Sequence, residues 1–317
     1  MSPATAIAHF RAGGEIRGLA ERQPLPGSAP SVGGLAASRT DACAPCMLLH
    51  GLASSPREFS TIRNTLLREG VAIHTPELPD YSATGPMRPH SWRNWLAAGQ
   101  RELHRLSDGD GPVVLGGLCI GAVLALALAL ALALANPKRV AGLILLSPTL
   151  YYDGWGLPRL RHLRHIGYLP GLRRWIKFAE QEPYGVKNPQ IRKWVAREMR
   201  ERHLSGAGAS HLPLWAIHEA ERLIRHVRLS LPRIHAPTLI LHAREDEVTS
   251  LRGPELLMRQ LATADKRLVV LENSYHMITL DNDRHTVVSE IAGFMRQISA
   301  NESLTSDSLL AIRPPAP

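Results

Sequence analysis

Cys119 stands in Gly117-Leu118-Cys119-Ile120-Gly121, with a glycine two positions away on either side. Glycines at that spacing leave room for a tight turn that lifts the middle side chain clear of the backbone, the setting of a nucleophile elbow. Acyl transfer from such a residue also needs a base, a group that holds the base in its productive tautomer, and donors for the oxyanion. The chain offers a candidate for each role. His276, in Ser274-Tyr275-His276-Met277, is the candidate base. Glu245, Asp246 and Glu247 are adjacent carboxylates that can orient it, and we take Asp246. The amides of Ile120, after the nucleophile, and of Leu52, in His50-Gly51-Leu52, are the expected oxyanion donors.

A cysteine in this place changes the chemistry. A helix N-terminus and a neighbouring histidine both favour negative charge on sulfur. The acyl-enzyme is then a thioester, which amines, alcohols and thiols capture as well as water does. Three readings follow: a hydrolase of carboxylic esters or thioesters, an acyltransferase that passes the acyl group to an acceptor other than water, and an inactive binding protein in which Cys119 only fills space. His50 is read as a hydrogen-bonded structural histidine. His162, His165, His203 and His211 lack ligand spacing, so no metal is expected, and no cofactor. Cys43-Ala-Pro-Cys46 lacks the strand and helix context of a redox motif and reads as incidental.

Positioning these residues requires an alternation of strands and helices, and the chain supplies one from Cys46 onward. Strands are expected at Cys46–His50, Val71–Thr75, Pro112–Leu115, Val140–Leu146, Thr238–His242 and Arg267–Leu271, with a turn over Gly116–Gly121. Helices are expected at Arg57–Glu69, Ser91–Leu106, Ala122–Ala135, Asn188–His203, His211–Leu231 and Arg284–Gln297. Leu124–Ala135 alternates Leu and Ala, a strand-like period. Both residues are strong helix formers, so a helix with Leu on every face, buried all round, is the expectation.

The organisation that results is a loosely ordered extension over 1–42, a core from 43–150 and 236–299, an inserted helical cap over 151–235, and a flexible tail over 300–317. The formal net charge of +9 concentrates in the cap, which holds sixteen Lys and Arg against seven Asp and Glu, interleaved with Trp155, Trp175, Trp194 and Trp215. Beside a small-molecule acyl ester or thioester, such a cap suits an anionic acyl carrier or an anionic membrane surface. No nucleic-acid motif accompanies the charge, so no nucleic acid is expected. Hydrophobic residues at 44% and charged ones at 21% exclude disordered and disulfide-scaffold classes. Three cysteines and the lack of a secretory segment predict a cytoplasmic setting, at the membrane surface if the cap rests on lipid.

Four segments together resemble the α/β-hydrolase superfamily, in its branch of bacterial carboxylesterases and monoacylglycerol-lipase-like enzymes. They are Leu48-Leu-His-Gly-Leu52, the elbow, Ala236-Pro-Thr238 leading to Ala243-Arg-Glu-Asp-Glu-Val248, and Ser274-Tyr-His-Met-Ile-Thr-Leu-Asp281. The resemblance spans about Cys46 to Ser299 and implies an α/β-hydrolase fold, a mostly parallel sheet with helices on both faces. It implies the acid at Asp246 and the base at His276, and the chain order nucleophile, acid, histidine agrees with it. The departure is at Cys119, where those esterases carry Ser. Dienelactone hydrolases and polyhydroxyalkanoate synthases of the same fold carry Cys at this place, and Ile120-Gly121 is similar to the synthases.

Overall fold

The computed structural model describes residues 44–107, 111–136, 139–157, 165, 167–169 and 171–311, without the side chains of 135 and 303–311. The expected 1–42 extension, Cys43, the cap residues Arg159, Arg161, His162 and Arg164, and residues 312–317 lie outside the described residues.

In chain order the elements begin with β1 (Cys46–Leu49), α1 (Ser60–Arg68), β2 (Ile73–His74), α2 (Trp92–Leu106), β3 (Val113–Leu118), α3 (Ile120–Ala135) and β4 (Val140–Leu146). The middle of the chain holds β5 (Lys177–Ala179), α4 (Pro189–Arg202), β6 (Leu204–Ser205), β7 (Gly208–Ala209), β8 (His211–Pro213) and α5 (Leu214–Arg228). The chain then returns to the sheet with β9 (Thr238–Ala243), α6 (Arg252–Gln260), β10 (Lys266–Leu271) and α7 (Arg284–Ala311).

Six strands form a parallel sheet in the order β10-β9-β4-β3-β1-β2. Side chains alternate across it. Met47, Leu49, Leu115, Leu143, Leu145 and Ile240 bury on one face with α2, α3, α5 and α6. Leu48, Val114, Ile144, Leu146, Leu239 and Leu241 bury on the other with α1, α4 and α7. This is the expected α/β-hydrolase architecture. From β1 the chain steps outward to β2 and then crosses back to place β3 on the opposite side of β1, so the order reverses between β1 and β3. Open parallel sheets bind ligands at the carboxyl ends of strands flanking such a reversal. Cys119 follows β3 there, and His50-Gly51-Leu52 follows β1.

Local signals explain most boundaries. Ser91 caps α2 by accepting from Arg93 N at 3.3 Å, and Asn188 caps α4 by accepting from Gln190 N and Ile191 N. The Leu-Ala run forms α3, with every residue from Ile120 to Leu130 buried and Leu134 emerging at 73% exposure. Three expectations need correction. The turn over Gly116–Gly121 shrinks to Cys119 alone, because β3 runs to Leu118 and α3 starts at Ile120. The helix over His211–Leu231 splits, because Pro213 has no N–H for a helix interior; β8 ends on Pro213 and α5 begins at Leu214. The helix expected to stop at Gln297 runs to Ala311, with neither Gly nor Pro between Gly293 and Pro314 to end it. Helix α6 and the short antiparallel pairs β5–β8 and β6–β7 were not foreseen.

The 151–235 segment is tied into the body of the fold through α5. Leu214, Trp215, Ala216, Ala220, Leu223, Ile224 and Val227 of that helix are buried with α3 in one apolar cluster. Among the exposed apolar side chains of this segment, Leu172, Trp175 and Phe178 flank exposed Arg174 and Lys177. No helix among the described residues is long and apolar enough to cross a membrane.

Candidate active site

The turn between β3 and α3 holds Cys119 at φ 59° and ψ −122°, a backbone conformation that L-residues rarely adopt and that has to be imposed by the surroundings. Two glycines make it possible. A Cβ on Gly117 would lie 2.5 Å from Leu49 O, and one on Gly121 would lie 2.2 Å from the same atom. The Cys119 N–H donates to Leu146 O at 3.0 Å, which pins the turn to β4. Its side chain is half-buried at the N-terminus of α3, where the helix dipole favours negative charge. Thr149 Oγ1 donates to Cys119 Sγ at 3.3 Å.

Loops after β9 and β10 bring Asp246 and His276 together. Asp246 Oδ2 lies 2.7 Å from His276 Nδ1, while Oδ1 accepts from Val248 N at 2.8 Å and Thr249 N at 2.9 Å. The backbone of His276 is held as well, its carbonyl by Ser147 Oγ at 2.8 Å and its N–H by Glu247 Oε2 at 3.2 Å. Burial works against charge on the His276 ring, and Asp246 with the Cys119 sulfur overrides it, holding the His276 pKa well above the usual imidazole value. Burial likewise opposes the Asp246 charge, yet His276 and the loop amides keep its carboxyl below the usual range. The ionised carboxylate accepts a hydrogen bond from the Nδ1 proton and keeps it on that nitrogen, so Nε2 is the position that gains and loses a proton. Nε2 is buried, with the Cys119 sulfur as its neighbour and no other partner among the described residues.

Among the described residues, neither the Leu52 N–H nor the Ile120 N–H donates to a protein acceptor. The first amides of a helix have no partner within it, so Ile120 N–H is available by construction. The loop that carries Leu52 is held by its neighbours. His50 Nδ1 lies 2.8 Å from Gly51 O, and a carbonyl only accepts, so Nδ1 carries the proton. Burial lowers the His50 pKa to about 4 and keeps the ring neutral. Tyr81 Oη donates to His50 O at 2.9 Å, fixing the same loop from the other side.

Of the three adjacent carboxylates, Asp246 alone reaches the His276 ring. Glu245 turns outward to Lys187 Nζ at 2.8 Å, and Glu247 bonds the His276 backbone. Burial pushes the Glu247 carboxyl up to about 7, and it pushes Glu58, which accepts from Gly51 N at 2.8 Å, up to about 7 too. A second buried histidine, His242, places Nε2 3.0 Å from Thr249 O and 3.8 Å from Asp246 Oδ2. Sequence reasoning missed Thr149, Glu58 and His242. Glu58 had one signal, a charged residue at a helix-facing position among the apolar Phe59 and Ile62; the other two had none. Cys46 is buried in β1, and His165, His203 and His211 are exposed and separate. The described residues contain no cluster of His, Cys, Asp or Glu placed to hold a metal.

Residues 46–290 match the sequence profile described as "Alpha/beta hydrolase family". The chain is 21% identical over 257 residues to a carboxylesterase of Bacillus subtilis (strain 168), an alignment covering 80% of this chain and 92% of that protein. It is 20% identical to a thermostable monoacylglycerol lipase of Bacillus sp. (strain H-257), over 78% of this chain and 88% of that one. Among solved structures, the monoacylglycerol lipase of Paleococcus ferrophilus superposes with a TM-score of 0.65 at 18% identity, covering 80% of this chain and 96% of its own.

Proposed function

The chain belongs to the alpha/beta hydrolase family, and from that premise we propose that it cleaves carboxylic esters or thioesters through a Cys119–His276–Asp246 triad. The observation that carries the reading is a buried histidine with one nitrogen held 2.7 Å from Asp246 and the Cys119 sulfur close enough to act on its charge.

The steps follow from that arrangement. Nε2 takes the Sγ proton as sulfur attacks the acyl carbon, and the carbonyl π pair moves onto oxygen. The resulting oxyanion is received by the N–H groups of Leu52 and Ile120. Collapse breaks the bond to the leaving group, which departs as alcohol or thiol with the proton from His276, leaving the acyl group as a thioester on Cys119. Water then gives its proton to Nε2, attacks the thioester, and releases the carboxylic acid and the Cys119 thiol. Asp246 stays ionised throughout and stabilises the imidazolium formed twice per turnover.

A cavity of about 460 Å³ favours a substrate with an anionic carrier group. Arg174, Lys177, Trp175 and Trp215 line it. Two other lining residues are bonded to the Leu52 turn, Ala83 N to Ser54 O and Ala209 N to Ala53 O, both at 2.9 Å. A phosphate-bearing acyl thioester would place its charge against the two cations and its acyl end at the strand termini. Turnover of 4-nitrophenyl butyrate and butyryl-CoA by the wild type and Cys119→Ala tests the proposal. A loss of ~10³-fold or more supports it, following the size of nucleophile deletions in triad enzymes; equal turnover by the variant removes it.

A further inference from the structure

Glu58 is a buried acid that the triad leaves unused. It lies in the short 3₁₀ turn Pro56–Phe59 that follows the Leu52 loop, at 2% exposure. Its Oε2 accepts the Gly51 N–H at 2.8 Å. The Gly51 backbone is squeezed between this carboxyl and the nucleophile: a Cβ there would lie 3.1 Å from Glu58 Oε1 and 3.5 Å from Cys119 Cβ. The other polar group of Gly51, its carbonyl, lies 2.8 Å from His50 Nδ1. Both hydrogen-bonding groups of Gly51 are therefore anchored from behind the site. A trans peptide is planar, with C=O and N–H pointing in opposite directions. Anchoring the Gly51 carbonyl to His50 turns the Leu52 N–H the other way, and anchoring the Gly51 N–H to Glu58 prevents the whole loop from rotating about that peptide.

A methionine would fill the same volume without the desolvation of a carboxyl, but would leave the buried Gly51 N–H without an acceptor. We infer that Glu58 is a positioning residue for acyl transfer, which acts through Gly51 to aim the Leu52 N–H at the developing oxyanion. The inference rests on the proposed role of Cys119 and Leu52.

Glu58→Met and Glu58→Gln separate this role from a packing role, since both keep the side-chain volume and only Gln keeps an acceptor. Two readouts are compared. Ester turnover passes through an oxyanion; alkylation of Cys119 by iodoacetamide does not, and reports only the sulfur and its histidine. Glu58→Met is expected to lower kcat for 4-nitrophenyl butyrate by about 10- to 100-fold with KM within about twofold, somewhat less than the loss of an oxyanion donor outright. Glu58→Gln is expected to recover kcat to within about fivefold of wild type, because its Oε1 accepts the same N–H. Alkylation rates of both variants should stay within about twofold of wild type, since neither change touches sulfur or imidazole. Wild-type kcat in Glu58→Met, or alkylation that falls in step with kcat, overturns the role of Glu58 alone. A wild-type chain that alkylates at Cys119 yet turns over no ester overturns the proposed reaction, and this inference with it.

Discussion

Thr149 Oγ1 donates to Cys119 Sγ across 3.3 Å, and the same hydroxyl lies 3.3 Å from Ser147 O, so one proton is shared between sulfur and a carbonyl. The contact links the loop after β4 to the turn after β3, and it supports negative charge on sulfur. Hydrogen bonds to charged groups contribute roughly 1.5–3 kcal/mol when fully committed, and a shared one contributes less. Thr149→Val, which keeps shape and removes the donor, should slow iodoacetamide alkylation of Cys119 about fivefold on that basis. An unchanged rate would show that the hydroxyl serves Ser147 only.

In the proposed triad, Asp246 selects the tautomer of His276. Asp246→Asn presents an amide that can offer a proton to Nδ1 and so favours the wrong tautomer; kcat should fall by about 10³- to 10⁴-fold. The His276 pKa should fall with it, because Asp246 is the leading attraction that raises it against burial. Cys119→Ala should lower the same pKa by a smaller step, since the sulfur also contributes. Imidazole proton shifts followed by NMR titration check both, and a His276 pKa insensitive to Cys119 would contradict the pairing.

The buried carboxyls predict an unusual dependence of stability on pH. Glu58 and Glu247 have pKa values raised by burial from 4.5 to about 7. Their folded forms keep protons that the unfolded chain releases, so the stability they contribute is full below pH 4.5 and is lost as pH rises through 7. Each accounts for up to about 3 kcal/mol over that window, because a tenfold change in proton affinity corresponds to about 1.4 kcal/mol. His50 runs the opposite way: with its pKa lowered from 6.5 to about 4, stability is lost as pH falls from 6.5 through 4. Glu58→Gln and Glu247→Gln should therefore gain Tm relative to wild type as pH is raised from about 5 to about 8. A constant Tm difference across that range would contradict the assignment.

The elbow predicts a sharp contrast between glycines. A Cβ on Gly121 would lie 2.2 Å from the Leu49 carbonyl oxygen, a backbone atom that cannot move aside, whereas one on Gly85 meets nothing within 4 Å. Gly121→Ala should cost about 4 kcal/mol or more and leave little folded protein, while Gly85→Ala should stay within about 0.5 kcal/mol. Chemical denaturation of both variants measures the difference.

What could be read from the sequence divides along lines of physical range. The turn that holds Cys119 was legible because an apolar strand, two glycines and a helix follow one another within a few positions. Asp246 and His276 were legible because each follows a late strand, and the two loops bring them within 2.7 Å. Thr149, Glu58 and His242 were not, because their roles arise from contacts that no local pattern announces. Thr149 meets Cys119 from 30 positions away, and Glu58 becomes an anchor only because the chain folds back on Gly51. The small ladders β5–β8 and β6–β7 are two or three residues long, too short to show a period. The helical reading of Leu124–Ala135 succeeded because propensity, summed over many residues, outweighed a misleading alternation.

The central claim, an acyl group carried on Cys119, has a direct measurement. Wild-type protein is mixed with 4-nitrophenyl butyrate, quenched in acid within the first turnover, and weighed intact before peptide mapping. A working Cys119 nucleophile predicts a mass increase of one butyryl group, located on the peptide that holds Cys119, absent in Cys119→Ala, and persistent in His276→Ala only if acylated by a more reactive donor. A butyryl group found on another residue, or turnover of the ester at full rate by Cys119→Ala with no adduct at any time, would contradict it.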